Sequence, residues 1–193
     1  MTHWEEAQIY EKAWHNSCIN SYQEESKQIE YAKRMGLNYR VSPEGRPEFD
    51  FQGKSVIDVG GGPYSILLKA INVKKPTVVD PLDIPQWCKD RYKVAGITFI
   101  NKMAEEYCEG HYDAGIVYNC LQHVSNAKLI IENMRKMCDL IYIHEWLDTP
   151  ISEGHIQTIT EAQLNEWLEG KGQVGEERWS DSVVTKYYTG IFC

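Results

Sequence analysis

The sequence is organised around the stretch Ser55-Val56-Ile57-Asp58-Val59-Gly60-Gly61-Gly62-Pro63-Tyr64-Ser65. The β-branched run from Ser55 to Val59 predicts a short buried strand. Three glycines follow it, which allows the chain to turn sharply and to bring bare backbone against a ligand. The apolar residues 65–71 then predict a helix, whose first free N–H groups are able to bind polar groups.

This strand, turn and helix are compatible with three interpretations. The first is a tight turn that binds no ligand. The second is a dinucleotide site, because Gly60, Gly62 and Ser65 nearly match the Rossmann fingerprint and Asp80 lies about 20 residues further on. The third is a site for a positively charged ligand, because the Asp58 carboxylate would repel a pyrophosphate. The rest of the chain has to distinguish between them.

Composition disfavours several classes of protein. The 193 residues carry a formal net charge of −8 without any Lys/Arg run, so no nucleic-acid partner is expected. No apolar run is long enough to cross a membrane, and the N-terminal segment does not resemble a signal peptide. The six cysteines are scattered and form neither a metal motif nor a disulfide framework. We therefore expect a cytoplasmic globular protein with no membrane partner, and a homo-oligomer is compatible with the sequence.

Strands and helices alternate after the glycine turn. Further strands are predicted at residues 77–80, 97–100, 113–118 and 140–143, with helices at 83–96 and 125–137. Asp83 is the expected cap of the first of these helices. Thr160 and Gln163 have the spacing of a capping box, which predicts another helix, and two closing strands are predicted at 173–179 and 182–192. The alternation predicts a mostly parallel sheet covered on both faces.

The residues before the glycine turn predict a helical extension. Apolar side chains recur at helical spacing within residues 5–35, and Gly36 is a plausible C-terminal cap. Residues 38–53 are polar and contain two prolines, which predicts a loop. The predicted fold is therefore α/β, a doubly wound, seven-stranded, mostly parallel sheet with a C-terminal antiparallel hairpin and an N-terminal helical extension. The predicted division is 1–50 for a helical lid and 51–193 for the ligand-binding domain.

The acidic strand, the glycine turn and the closing hairpin together resemble class I S-adenosylmethionine (SAM)-dependent methyltransferases, over residues 55–193. The resemblance implies SAM as cofactor and S-adenosylhomocysteine as product. It places Asp58 near the SAM ammonium group, the glycines against the methionine part, and Asp80 on the ribose hydroxyls. Met103 stands where the family often has an acidic adenine contact. The full set of implied cofactor-binding residues is Asp58, Gly60, Gly61, Gly62, Pro63, Ser65, Asp80, Pro81, Met103, Ala104, Asn119, Cys120 and Leu121.

The segment after the fourth core strand points to a small-molecule acceptor. Residues 119–124 lack the Asp/Asn-Pro-Pro-aromatic motif of DNA methyltransferases, and the protein is acidic. His123 is the candidate general base, because imidazole titrates near neutral pH. The candidate acceptor-binding residues are Tyr10, Trp14, His123, His144, Glu145, Trp146 and His155. For each of them an ordinary packing or polar-rim role is the alternative.

Two other functions remain open at this point, a SAM-binding protein without turnover and a nicotinamide-dependent oxidoreductase. No metal site is expected. His144 and Glu145 are adjacent, so on a strand they point to opposite faces, and the sequence has no paired-cysteine or His-Glu-x-x-His motif.

Overall fold

A computed structural model of the chain describes residues 3–18, 22–180 and 182–193. The helices are α1 (His3–Cys18), α2 (Tyr22–Arg34), α3 (Gln86–Val94), α4 (Ala127–Met137) and α5 (Glu161–Trp167). The strands are β1 (Tyr39–Val41), β2 (Pro47–Asp50), β3 (Ser55–Val59), β4 (Ala70–Ile71), β5 (Lys74–Val79), β6 (Thr98–Ile100), β7 (Ala114–Tyr118), β8 (Ile141–Leu147), β9 (Gln173–Ser180) and β10 (Val183–Phe192). None of the helices in the described ranges is both long and apolar enough to span a bilayer.

The main sheet has seven strands in the order β6-β5-β3-β7-β8-β10-β9. The first five are parallel, whereas β10 runs antiparallel to both β8 and β9. The predicted seven-stranded, mostly parallel sheet with a closing antiparallel hairpin is therefore confirmed.

Alternating side chains on the central strands supply a core on each face of this sheet. Ile57 and Val59 of β3 pack with α4 on one face, and Val56 packs with α3 and the end of α2 on the other. A parallel sheet covered on both faces needs apolar residues at successive positions, which is why β3 appears in the sequence as a continuous run. The capping box of α5 also forms, since the backbone N–H of Thr160 donates to Gln163 Oε1 over 2.9 Å.

The predicted helix at 65–71 is wrong. The chain instead makes two 3₁₀ turns, Gly62–Tyr64 and Ile66–Lys69, and then enters β4. Two distant tyrosines cause this, because the hydroxyls of Tyr92 and Tyr118 accept the backbone N–H groups of Ser65 and Ile66 over 3.0 and 3.2 Å. The N–H groups expected to bind a ligand at a helix start are thus used inside the protein.

Two other predictions before β7 need correction. The loop predicted at 38–53 contains an antiparallel pair, β1 and β2, and β2 pairs in parallel with β4. The helical extension predicted at 5–35 is confirmed as the two helices α1 and α2, with 19–21 outside the described residues. Asp83 does not cap α3, because Pro85 occupies that position and Asp83 pairs with Lys89 over 2.6 Å. The predicted cap of α2 is correct, since Gly36 has a φ of +78°.

Candidate functional site

A cleft opens where β3, β5 and β7 end, at the edge where parallel sheets bind ligands. It holds a cavity of about 300 Å³ and a neighbouring one of about 70 Å³. Both cavities are lined by Gly60, Asn119 and His123, and by two residues of α1, Glu11 and His15. Helix α1 therefore lies across the cleft and divides it into two parts.

The glycine turn has no room for side chains. Gly60 has a φ of +76°, and a Cβ atom there would overlap the Cys120 Sγ atom. A Cβ on Gly61 would lie 2.7 Å from Asp58 Oδ2. Because both positions are bare, the backbone of the turn forms a wall of the larger cavity.

Asp58 lies fully buried beneath this turn. Its Oδ2 atom accepts a hydrogen bond from Ser65 Oγ over 2.5 Å and a longer one from the Tyr118 hydroxyl over 3.4 Å. Its Oδ1 atom has no hydrogen-bond partner among the described residues. Burial raises the pKa of Asp58 to about 7, and these hydrogen bonds oppose the rise. A positive charge placed beside the carboxyl group would lower this pKa and favour the ionised form.

Asp80 ends β5 and lines the smaller cavity. It is 5% exposed and accepts backbone N–H groups from Gly62 over 3.0 Å and Leu82 over 2.8 Å. Burial raises its pKa, and these backbone donors oppose the rise. Asp80 thus ties the glycine turn to the loop after β5 and keeps its carboxyl group at the cavity.

Glu145 lies behind the loop that follows β7. Its Oε1 atom accepts the backbone N–H groups of Cys120 over 2.8 Å and Leu121 over 3.1 Å. Its Oε2 atom has no hydrogen-bond partner in the described part of the chain, and burial raises the Glu145 pKa to about 7. Glu145 holds the loop in place from below and does not line the cavity.

His123 makes two polar contacts through the same nitrogen. Its Nδ1 atom lies 2.8 Å from the Gly154 carbonyl oxygen and 3.1 Å from Glu11 Oε1. Burial opposes protonation of His123, but the Glu11 carboxylate outweighs it and raises the His123 pKa above its ordinary value. Burial alone would raise the Glu11 pKa, yet the hydrogen bonds and charges of His123 and His15 lower it to about 2.

The cleft brings together many of the residues predicted from the sequence, but not all of them. Those that line one of the two cavities are Tyr10, Trp14, Gly60, Gly61, Pro63, Asp80, Pro81, Ala104, Asn119, Cys120, His123, Trp146 and His155. Those outside the lining are Asp58, Gly62, Ser65, Met103, Leu121, His144 and Glu145.

His144 has a different environment from the one expected of an acceptor contact. It is fully buried, and its ring centroid lies 4.4 Å from that of Tyr31 and 5.1 Å from that of Tyr187. Burial lowers its pKa to about 3, helped by the nearby charge of Arg34, so the ring is neutral at physiological pH.

Sequence reasoning missed several lining residues. Glu11 and His15 follow Trp4 and Gln8 at spacings of three and four, which places all four on one face of α1, and this periodicity is the signal that identifies them.

Aromatic residues were missed as well, namely Tyr31, Tyr64, Tyr118 and Trp179. Trp179 comes from β9, and its ring lies 5.7 Å from that of Trp146. Local sequence carries no signal for that contact, because it depends on the closing hairpin.

Comparison with solved structures shows that the fold is that of methyltransferases. A mitomycin 7-O-methyltransferase matches with a TM-score of 0.60 at 13% identity, over 100% of this chain and 60% of that one. Magnesium protoporphyrin IX methyltransferase from Synechocystis PCC 6803, solved with bound SAM, matches with a TM-score of 0.51 at 16% identity, over 71% of this chain and 69% of that one. A SAM-dependent methyltransferase from Aquifex aeolicus matches with a TM-score of 0.51 at 14% identity, over 74% of this chain and 84% of that one. No protein-family model and no curated protein matches the sequence.

Proposed function

Because the chain has the fold of class I SAM-dependent methyltransferases, we propose that it transfers a methyl group from SAM to a small-molecule acceptor. The observation that carries the proposal is the cleft at the ends of β3, β5 and β7. There the glycine turn, Asp80 and the candidate base His123 line adjoining cavities.

The charges and the bare backbone of the cleft support SAM as its ligand. SAM carries positive charge on its sulfonium and ammonium groups, and Asp58, which lies beneath the glycine turn and outside the cavity lining, places a buried carboxyl oxygen without a partner among the described residues behind that turn. Gly60 and Gly61 leave their backbone bare at the cavity wall. We assign Asp58 and the glycine turn to the methionine part, Asp80 to the ribose hydroxyls, and Ala104, Asn119 and Cys120 to the remaining contacts.

His123 is the residue that we assign to proton transfer. When bound, SAM supplies an electrophilic methyl carbon, to which the acceptor atom bonds while the carbon–sulfur bond breaks and its electron pair stays on sulfur. Positioning the acceptor is the main task of the protein in such a displacement. Where the acceptor atom must lose a proton, we assign that proton to His123, which lines both cavities, whereas His155 lines only the larger one.

The aromatic walls favour an acceptor with a flat apolar face. Trp14, Trp146 and Trp179 come from three separate elements and line the same cavity. Trp14 and Trp179 are 45% and 54% exposed, so a stacked ligand would bury aromatic surface that now meets water. The acidic charge of the chain disfavours nucleic acid as the acceptor. The acceptors named for two of the structural neighbours, a porphyrin and a mitomycin, are small molecules as well.

Calorimetry and turnover test this function in two steps. We expect SAM and S-adenosylhomocysteine to bind and NAD not to bind. Incubation with SAM and a panel of small aromatic and aliphatic hydroxy, amino and thiol compounds should then release S-adenosylhomocysteine for some members. NAD binding without SAM binding would contradict the proposal. SAM binding with no turnover on any acceptor would favour a binding protein.

A further inference from the structure

Helix α1 lines the cleft with polar as well as aromatic side chains. Gln8, Glu11 and His15 line the smaller cavity together with Trp4, whereas Ile9 is 60% exposed. An ordinary surface helix directs an apolar stripe against the core. In α1, polar contacts in the cleft therefore contribute to its position.

The most direct of these contacts is made to the candidate base. Glu11 Oε1 and the Gly154 carbonyl oxygen both face Nδ1 of His123, at 3.1 and 2.8 Å. Both partners are acceptors, so Nδ1 carries a proton and acts as the donor. The other ring nitrogen, Nε2, is then the one with a lone pair that can accept a proton.

We propose that Glu11 is a positioning residue for His123, so that the base is complete only while α1 lies across the cleft. The inference rests on the proposed methyl transfer. Glu11 and the Gly154 carbonyl together fix the tautomer that leaves Nε2 as the proton acceptor, and Glu11 alone of the two brings a negative charge. When Nε2 takes the proton that the acceptor gives up, the Glu11 carboxylate stabilises the positive ring.

Other charged and titratable groups also face His123 and must be accounted for. His15 of α1 lies 3.7 Å from Glu11, and the His155 ring centroid lies 4.8 Å from that of His123. Glu145 of β8 adds a weaker charge effect that raises the pKa of His123. Glu11 is the carboxylate in direct contact with the ring, so its removal should have the largest effect.

Gly154 provides a second way to test the same contact. A Cβ atom at Gly154 would lie 2.7 Å from Glu11 Oε1 and 2.9 Å from Tyr10 Cδ1. The Gly154→Ala change should therefore push α1 away while Glu11 and His123 keep their chemical identity. The backbone at Gly154 is not in the left-handed region, so alanine causes no backbone strain there and acts only through the contact of its Cβ atom with α1.

The test is an NMR titration of the histidine rings in the full chain without SAM, with the His123 signal assigned by its loss in His123→Gln. We expect Glu11→Gln and Gly154→Ala each to lower the His123 pKa, because each removes the Glu11 carboxylate from the ring. Glu6→Gln is the matched control, because it removes the same charge from an exposed position of the same helix and should leave the His123 pKa unchanged. An unchanged His123 titration in both folded variants would overturn the inference.

A second readout ties the contact to catalysis. With an acceptor from the turnover panel, Glu11→Gln should lower kcat by about tenfold or more and shift its pH profile, while Glu6→Gln leaves both unchanged. A kcat and pH profile equal to those of the unaltered protein would also overturn it. Failure of the methyl-transfer proposal looks different, because the unaltered protein would then release no S-adenosylhomocysteine at all.

Discussion

Asp80 offers the most direct test of the donor site at the scale of one residue. On the proposed ribose assignment, Asp80→Ala removes two charge-assisted hydrogen bonds to the ribose, each worth about 1.5–3 kcal/mol. We expect the SAM dissociation constant to rise roughly 10- to 1,000-fold in calorimetry. Asp83→Ala is the control, because Asp83 is a nearby exposed carboxylate outside both cavities. SAM affinity that is unchanged in a folded Asp80→Ala protein would rule out the ribose assignment.

Asp58 should make SAM binding depend on pH. Its pKa of about 7 means that below neutral pH the carboxyl group is largely protonated, and a cationic ligand must displace that proton. We expect SAM affinity to fall as pH drops below 7, by at most about tenfold per unit, with one proton released on binding. Calorimetry in two buffers of different ionisation enthalpy counts this proton. Asp58→Asn should abolish this proton release. If the release persists in that variant, the proton comes from another group.

At the scale of elements, the glycine turn joins β3 to the loop after β7 by close contact. Gly60→Ala should destabilise the protein both through its φ of +76° and through overlap with Cys120 Sγ. Gly45→Ala separates the two causes, because Gly45 has a φ of +79° but no atom within 4 Å of the added Cβ. We expect Gly60→Ala to lower the free energy of unfolding in urea by about 1–3 kcal/mol more than Gly45→Ala. Equal losses would mean that the turn tolerates a side chain.

The elements that the sequence predicted correctly are those whose signals are local. The β-branched run of β3 and the Thr160–Gln163 capping box each lie within a few residues, and both form as expected. The helix predicted at 65–71 failed because Tyr92 and Tyr118, which lie far along the chain, bind its N–H groups. Because residues 65–71 were predicted to be helical, β4 was not predicted. Strand β4 is the partner of β2, so the sheet that includes residues of the predicted loop at 38–53 was not predicted either.

The same distinction applies to the cleft. The glycine turn and Asp80 were predictable, because the ends of parallel strands meet at one edge of a sheet. The polar contacts that α1 makes there were not predicted, because they depend on how a helix outside the main sheet docks. Tyr10 and Trp14 were named from their apolar character, whereas the contacts at His123 and His15 run through the polar Glu11.

At the scale of the whole molecule, two buried carboxyl groups should control stability near neutral pH. Asp58 and Glu145 have pKa values of about 7 in the folded protein, against about 4 in an unfolded chain. Between pH 4 and pH 7 the folded state holds two protons that the unfolded state has released. The stabilisation that the two protonated carboxyl groups give is therefore complete below about pH 4 and is lost as the pH rises through 7. Glu11 acts in the opposite sense. Its pKa of about 2 lies below its ordinary value of 4.5, so Glu11 stabilises the folded protein above about pH 4.5, and this stabilisation is lost as the pH falls through 2.

Urea unfolding at several pH values between 5 and 8 measures this effect. We expect the free energy of unfolding to fall between pH 5 and 7 in the unaltered protein, because the two carboxyl groups outweigh His144, whose pKa of about 3 acts in the opposite sense. The double variant Asp58→Asn, Glu145→Gln should show a flatter dependence, because neither amide can ionise. Parallel curves for the two proteins would assign the pH dependence to the overall charge of −8 or to other groups.

The strand order β8-β10-β9 also has a consequence for synthesis on the ribosome. β10 follows β9 in the chain, yet it lies between β8 and β9 in the sheet. While the nascent chain lacks β10, one edge of β8 has no strand beside it, and β9 has nothing to pair with. Such an open edge invites pairing with other chains. The nascent protein is therefore most exposed to aggregation just before β10 emerges, and a chaperone that holds it until then should raise the yield of folded protein.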